Sequence, residues 1–261
     1  MFADNPFSAL AATVPVALMQ GFVLIMIAFV LGGTLYDLQH KGSARYFFAN
    51  WRNAGRKATR QVGTGEALSL AVQTVVVEGL TSGEFCSLRR RLAHLLTMYG
   101  FIIYVVTTVL LVFAYPSADT PPPSIVPELW HIGALLICVG GYWFWFFIRV
   151  DVVAEGKSPF RVMRADLFIL SLLASATLAL IWSWLQSAQS DWANLFLALY
   201  LFATLFLFGS VPWSKFSHMF FKPAAAFQKR LENANGSRSN LPAPADRPAT
   251  LGHTPKRSRH Y

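Results

Sequence analysis

The sequence predicts an all-α protein: a polytopic membrane helical bundle of five transmembrane helices, N-terminus outside and C-terminus cytoplasmic. Three observations predict it. Only 13% of the 261 residues are charged and 54% are hydrophobic, whereas a soluble domain carries about 25% charged residues. The apolar residues lie in blocks close to the ~20 residues that a helix needs to cross a bilayer. Every Lys and Arg falls on one side of a five-span arrangement. In lipid the backbone must satisfy its own hydrogen bonds, so the blocks are helices. The alternating segments of about 10 residues that mark a membrane barrel are missing from the sequence.

The first span is expected near 14–36, through VLIMIAFVLGGTLY. No Lys or Arg precedes Lys41, and the block is long, so it reads as a retained span and not as a cleaved signal peptide. Residues 37–91 are too polar to span and form a cytoplasmic loop. Within that loop EALSLAVQTVVVEGL (66–80) reads as a short amphipathic segment lying on the membrane or against a partner. The second span is expected near 92–115 and the third near 129–148, joined by a stiff Pro-rich connector. Gly140-Gly141 in the third span reads as a packing notch. The fourth span is expected near 167–185 and the fifth near 193–211. Asp151 beside Arg149 and Asp166 beside Arg164 read as local ion pairs. Pro212 is expected either to kink the end of the fifth span and re-aim His218 or merely to end the span. These spans and the loop make a membrane domain over 1–231. Residues 232–261, rich in Asn, Ser, Pro and Arg, read as a disordered cytoplasmic tail.

The charges set the orientation. Nine Lys and Arg lie in 37–91, four in 149–164 and nine from Lys215 onward, the full complement of 22. The N-terminus, the 116–128 loop and the 186–192 loop have none. The positive-inside rule therefore puts the basic side in the cytoplasm. Trp130, Trp182, Trp184, Trp192 and Tyr115 fall near the outer span ends, where amphipathic rings prefer to sit. The net charge of +9 then reads as basic loops facing an anionic leaflet, and not as a nucleic-acid surface. The two cysteines, Cys86 and Cys138, form no CxxC, so the chain cannot by itself ligate an iron–sulfur cluster or a Cys-type zinc.

Ionisable side chains at membrane depth mark function. Of the six histidines, His40, His253 and His260 read as solvated. His94, in RRRLAHLLTMYGF, sits just inside the basic end of the second span. His218, in VPWSKFSHMFFK, is expected at the basic end of the fifth. Two imidazoles at one depth suit the axial positions of a b-type haem, with Arg91 and Lys215 as partners for its propionates. The competing reading makes both interfacial histidines bound to lipid headgroups. His131, in PELWHIG at the outer end of the third span, reads either as an interfacial residue or as a contact to a quinone headgroup.

R-L-x-H-L-L opening one span and P-W-S-K-x-x-H closing the last resemble the gamma subunit of respiratory nitrate reductase. They are also similar to related cytochrome b-type membrane subunits of sulfur-metabolism complexes, including the membrane anchor found with adenylylsulfate reductase. The resemblance covers roughly residues 14–230. It implies a subunit of the bacterial cytoplasmic (inner) membrane that exchanges electrons between the quinone pool and a cytoplasmic oxidoreductase, which docks on the 37–91 loop. In such relatives two haems stack across the bilayer. His94 and His218 match the ligand positions of the inner one. The outer ligand positions are occupied here by Tyr104 and Tyr200, which breaks the two-haem pattern. Two readings follow: a redox subunit with one haem, or a haem-free anchor on the same scaffold. Adenylylsulfate reductase is the soluble partner this resemblance implies. A small transporter fits less well, because repeats and midplane charges are missing from the sequence.

Overall fold

A computed structural model of the chain describes residues 2–40, 42–83, 85, 87–149, 162–163, 166–213, 218–238 and 241. Among these, all regular structure is helical. In chain order the helices are α1 (Pro6–Leu10), α2 (Val16–His40), α3 (Ser43–Arg56), α4 (Thr64–Thr74), α5 (Leu88–Phe113), α6 (Ile125–Trp143), α7 (Leu167–Ser187), α8 (Ala193–Gly209) and α9 (His218–Ala234). Wider π-type turns continue α4 through Val75–Leu80 and α6 through Phe144–Ile148.

Four of these are long and apolar enough to cross a membrane: α2, α5, α6 with its continuation, and α7. The fifth expected span is shorter. Helix α8 has 17 residues, about 25 Å at 1.5 Å per residue against a hydrocarbon core of about 30 Å. Its end follows the second of the two readings of Pro212. Pro212 does not kink a continuing helix. Helix α8 has already stopped at Gly209, and a 3₁₀ turn over Val211–Trp213 carries the proline. Proline has no N–H and its ring crowds the carbonyl four residues back, which disfavours continuing the helix here, although α9 accommodates Pro223 within its first turns. His218 therefore opens α9 instead of closing the fifth span.

The chain divides into two compact units, residues 1–41 with 81–219 and residues 42–80 with 220–261. In the first, α5 and α6 approach backbone to backbone. A Cβ on Gly133 would lie 2.7 Å from the Tyr104 nitrogen, and one on Gly100 2.8 Å from the Gly133 carbonyl oxygen. Small residues give this contact in a membrane, where dispersion and close packing replace the hydrophobic effect between helices. The interior holds Leu111, Trp130, Ala134, Ile137 and Ala179, all fully buried. On the outside of the same unit, α2 exposes Leu18, Leu24, Leu31 and Leu35. Apolar surface of this extent suits lipid and not water.

The short helix α1 plugs one end of this unit. Asn5 caps it by accepting from the Phe7 N–H at 3.0 Å and donates to the Tyr115 carbonyl at 2.8 Å. Gln186 donates to the Pro6 carbonyl at 2.8 Å. Phe7 packs on Trp130 and Trp182, each with ring centroids 5.6 Å away. The segments without Lys or Arg thus gather at one end. At the other end, Arg149 Nε donates to Asp166 Oδ1 at 2.9 Å, and a second guanidinium nitrogen reaches Asp166 Oδ2. The guanidinium also lies 4.1 Å from the centre of the Trp145 ring. Asp166, at the N-terminus of α7, thus pairs with Arg149 from the end of the previous span. Asp151 and Arg164 lie outside the described residues.

The second unit contains α3, α4 and most of α9. Trp51 of α3 packs on Phe227 of α9, centroids 5.8 Å apart. Arg230 pairs with Glu78 at 3.2 Å. The N–H groups of Thr59 and Arg60 donate to the Asn235 carbonyl at 3.0 and 3.2 Å. Arg60 also pairs with Glu66. The amphipathic segment expected at 66–80 is thus α4 and its continuation. Helix α9 runs past residue 232, where the sequence reading starts its tail, and Glu232 is buried. Residues 242–261 lie outside the described residues.

Candidate functional site

Helix α5 carries both His94 and Tyr104, ten residues apart, which is about 15 Å along the axis. The two ends of that interval have different surroundings. At the Tyr104 level the interior is filled with aromatic side chains. The Tyr104 hydroxyl donates to the Tyr200 hydroxyl of α8 at 2.9 Å. Trp182 stacks on Tyr200 with centroids 5.7 Å apart and planes 13° apart. Trp130 lies 5.3 Å from Tyr104 and donates its indole N–H to Thr108 at 2.9 Å. The Ser175 and Thr204 hydroxyls meet at 2.8 Å one turn further along α8. The structure therefore brings together the two tyrosines that the sequence comparison singled out, and joins them directly.

His131 sits beside this cluster and is fully buried. Its Nδ1 is 2.7 Å from the Pro127 carbonyl, and its Nε2 is 2.7 Å from the Ser183 hydroxyl of α7. A carbonyl only accepts, so Nδ1 carries the proton and Nε2 accepts from Ser183. Phe2 and Trp130 cover the ring edgewise. Both ring nitrogens are used within the protein and no surface is left for a ligand, so His131 ties α6 to α7.

At the basic end, His94 is half-buried. The Ser82 hydroxyl lies 3.0 Å from its Nδ1, and the Phe85 ring packs 4.9 Å from the imidazole. A hydrogen bond on one ring nitrogen is how proteins fix the orientation of a ligating histidine. Arg91 Nε donates to the Thr81 carbonyl at 2.7 Å. Arg91 thus holds the 81–85 segment over the start of α5, in addition to any role toward a propionate. Lys215 lies outside the described residues. For His218 only the backbone is described, as the first residue of α9.

Sequence reasoning missed His40. It does not stand alone in a loop: it ends α2 and stacks on Tyr36, with ring centroids 5.3 Å apart and planes 9° apart. The i, i+4 spacing of Tyr36 and His40 is visible in the sequence. The two residues form one wall of a cleft of about 850 Å³ between the ends of α2 and α8 and the start of α7.

Fold and surfaces together define a helical membrane protein with a dense aromatic interior. No family model matches the chain, and no solved structure does. Among curated proteins it is similar to citrate utilization protein B of Escherichia coli, 26% identical over 204 residues that cover 73% of this chain and 52% of that protein. The chain thus spans about half the length of this curated relative. That similarity does not single out an adenylylsulfate reductase anchor: the name of the relative refers to citrate and not to sulfur.

Proposed function

We propose that this chain is the membrane subunit of a quinone-linked oxidoreductase complex in the bacterial inner membrane. It crosses the bilayer five times with its N-terminus outside, docks a soluble enzyme on the 37–91 loop, and holds one b-type haem between His94 and His218. The observation that carries this reading is the Tyr104–Tyr200 hydrogen bond. It makes α5 and α8 face each other across the interior, and the two histidines belong to α5 and to the segment that follows α8. The Ser82 contact to His94 Nδ1 is the outer-shell support that an axial ligand needs. When bound, a b-type haem supplies one-electron transfer between the soluble enzyme and quinone. The chain's own contribution is to orient the imidazole, to cover it with Phe85, and to close the outer level to a second cofactor.

The optical spectrum of the purified protein tests this. A Soret band with a single b-type reduced α band is expected, and it should be lost in both His94→Ala and His218→Ala. A wild-type protein that expresses in haem-replete cells and shows no Soret band would sink the redox role. A haem-free structural anchor is the second reading, favoured by the aromatic filling at the Tyr104 level, where relatives of this type hold a cofactor. The soluble partner also has two readings. The lack of cluster cysteines and of a second His pair favours adenylylsulfate reductase by analogy with the resembled family. The similarity to a citrate utilization protein favours an enzyme acting on a carboxylate. Mass spectrometry of proteins cross-linked to the 37–91 loop in native membranes separates them.

A further inference from the structure

The cleft between α2, α7 and α8 has no role in the reading above. Its volume of about 850 Å³ lies within the ~300–1,000 Å³ of small-molecule sites. Most of its lining is apolar: Phe202, Phe206 and Trp213 face it and are themselves 67%, 44% and 71% exposed. A ligand would therefore arrive from the lipid, with its tail along α8. The close seat of the 3₁₀ turn makes this wall. A Cβ on Gly33 would lie 2.9 Å from Val211 Cγ1, so the turn carrying Trp213 rests on α2 beside Tyr36 and His40. The polar groups are few: the stacked phenol and imidazole of Tyr36 and His40, and Ser210, whose hydroxyl donates to the Leu207 carbonyl at 3.2 Å. Lys41, the first basic residue of the chain, follows His40 directly, so the polar corner lies at headgroup depth on the basic side.

We propose that this cleft is the quinone site. A flat ring with two opposed oxygens and an isoprenoid tail matches an aromatic wall, a hydrogen-bonding His–Tyr corner and an opening to lipid. His40 is the group that hydrogen-bonds the nearer ring oxygen, Tyr36 supports it, and Trp213 covers the mouth. The site lies at the basic end, away from the buried His131. This inference rests on the proposed quinone-linked function and adds where and on what residues the ring is held.

Decylubiquinone titrated into the purified full-length protein in nanodiscs tests it, read by tryptophan fluorescence. Saturable quenching is expected, with the signal lost in Trp213→Phe. His40→Ala should weaken the midpoint about tenfold, the worth of one good hydrogen bond. His40→Gln should recover part of that loss, and Phe206→Trp should narrow the cleft and weaken binding as well. Quenching that rises linearly and equally in wild type and His40→Ala would mean partition into annular lipid and would overturn the site. Saturable binding that ignores His40 and Phe206 would overturn it too. The same titration in His94→Ala separates this inference from the haem. Saturable binding with no Soret band in wild type removes the haem and keeps the cleft. A Soret band without saturable binding does the reverse.

Discussion

At the scale of single residues, two tyrosines and one histidine set what this interior can hold. Tyr104 and Tyr200 satisfy each other at 2.9 Å, and buried hydroxyls without a partner would cost about 1–3 kcal/mol each. Around them Trp130 and Trp182 are 0% and 1% exposed. A haem needs space as well as ligands, and this level has donors for each other and no gap. Replacing both residues, Tyr104→His with Tyr200→His, restores two imidazoles but leaves Phe7, Trp130 and Trp182 in place. The haem-to-protein ratio, measured by pyridine haemochrome, should therefore stay at the wild-type value. A rise by one haem per chain would show that the aromatic packing relaxes readily. His131 illustrates the opposite limit of sequence reading. Its burial depends on Ser183, 52 residues away on another helix, and no local pattern announces that partner. The Arg149–Asp166 pair, 17 residues apart, is hidden for the same reason.

At the scale of elements, the bilayer itself makes most helices legible. Its thickness imposes apolar runs of about 20 residues, and α2, α5, α6 and α7 fall where those runs lie. The end of α8 is less legible because hydropathy continues smoothly from Leu205 to Trp213 while the backbone does not. The missing N–H of Pro212 decides the boundary, and a hydropathy window does not see it. Helix α3 was also missed, although Phe47, Trp51 and Ala54 repeat at i, i+4 and i+7 on one face. Its three arginines and its place in a polar loop masked the period. The α5–α6 contact gives an element-scale test. Gly133→Leu puts a side chain where the Tyr104 backbone lies 2.7 Å from the first added carbon. Overpacking of this kind costs about 1–3 kcal/mol, so the unfolding temperature in detergent should fall. Gly21→Ala, where nothing lies within 4 Å, should be neutral or stabilise by up to about 1 kcal/mol. Equal effects from the two substitutions would mean that α5 and α6 are not in backbone contact.

At the scale of the whole molecule, the charge asymmetry and the second unit meet in one question: where a soluble enzyme would bind. The 37–91 loop holds nine of the 22 Lys and Arg, but they are not equivalent. Arg60 is committed within the unit, to Glu66 and to the Ala234 carbonyl at 3.2 Å. Reversing it would damage the fold of the unit and not only its surface. Arg52, Arg56 and Lys57 are exposed at the end of α3, and exposed charges act on partners over a Debye length of about 8 Å at physiological salt. An acidic enzyme docking there gains on-rate and orientation more than affinity. The triple reversal Arg52→Glu, Arg56→Glu and Lys57→Glu should therefore release the soluble enzyme from membranes while the anchor stays inserted and folded. Fractionation at low salt should show the enzyme moving to the supernatant, and wild-type membranes should reach the same state only when salt is raised. Arg60→Glu should instead lower the amount of folded anchor. Retention of the enzyme on membranes carrying the triple reversal, at every salt concentration, would exclude this face of α3 as the docking surface.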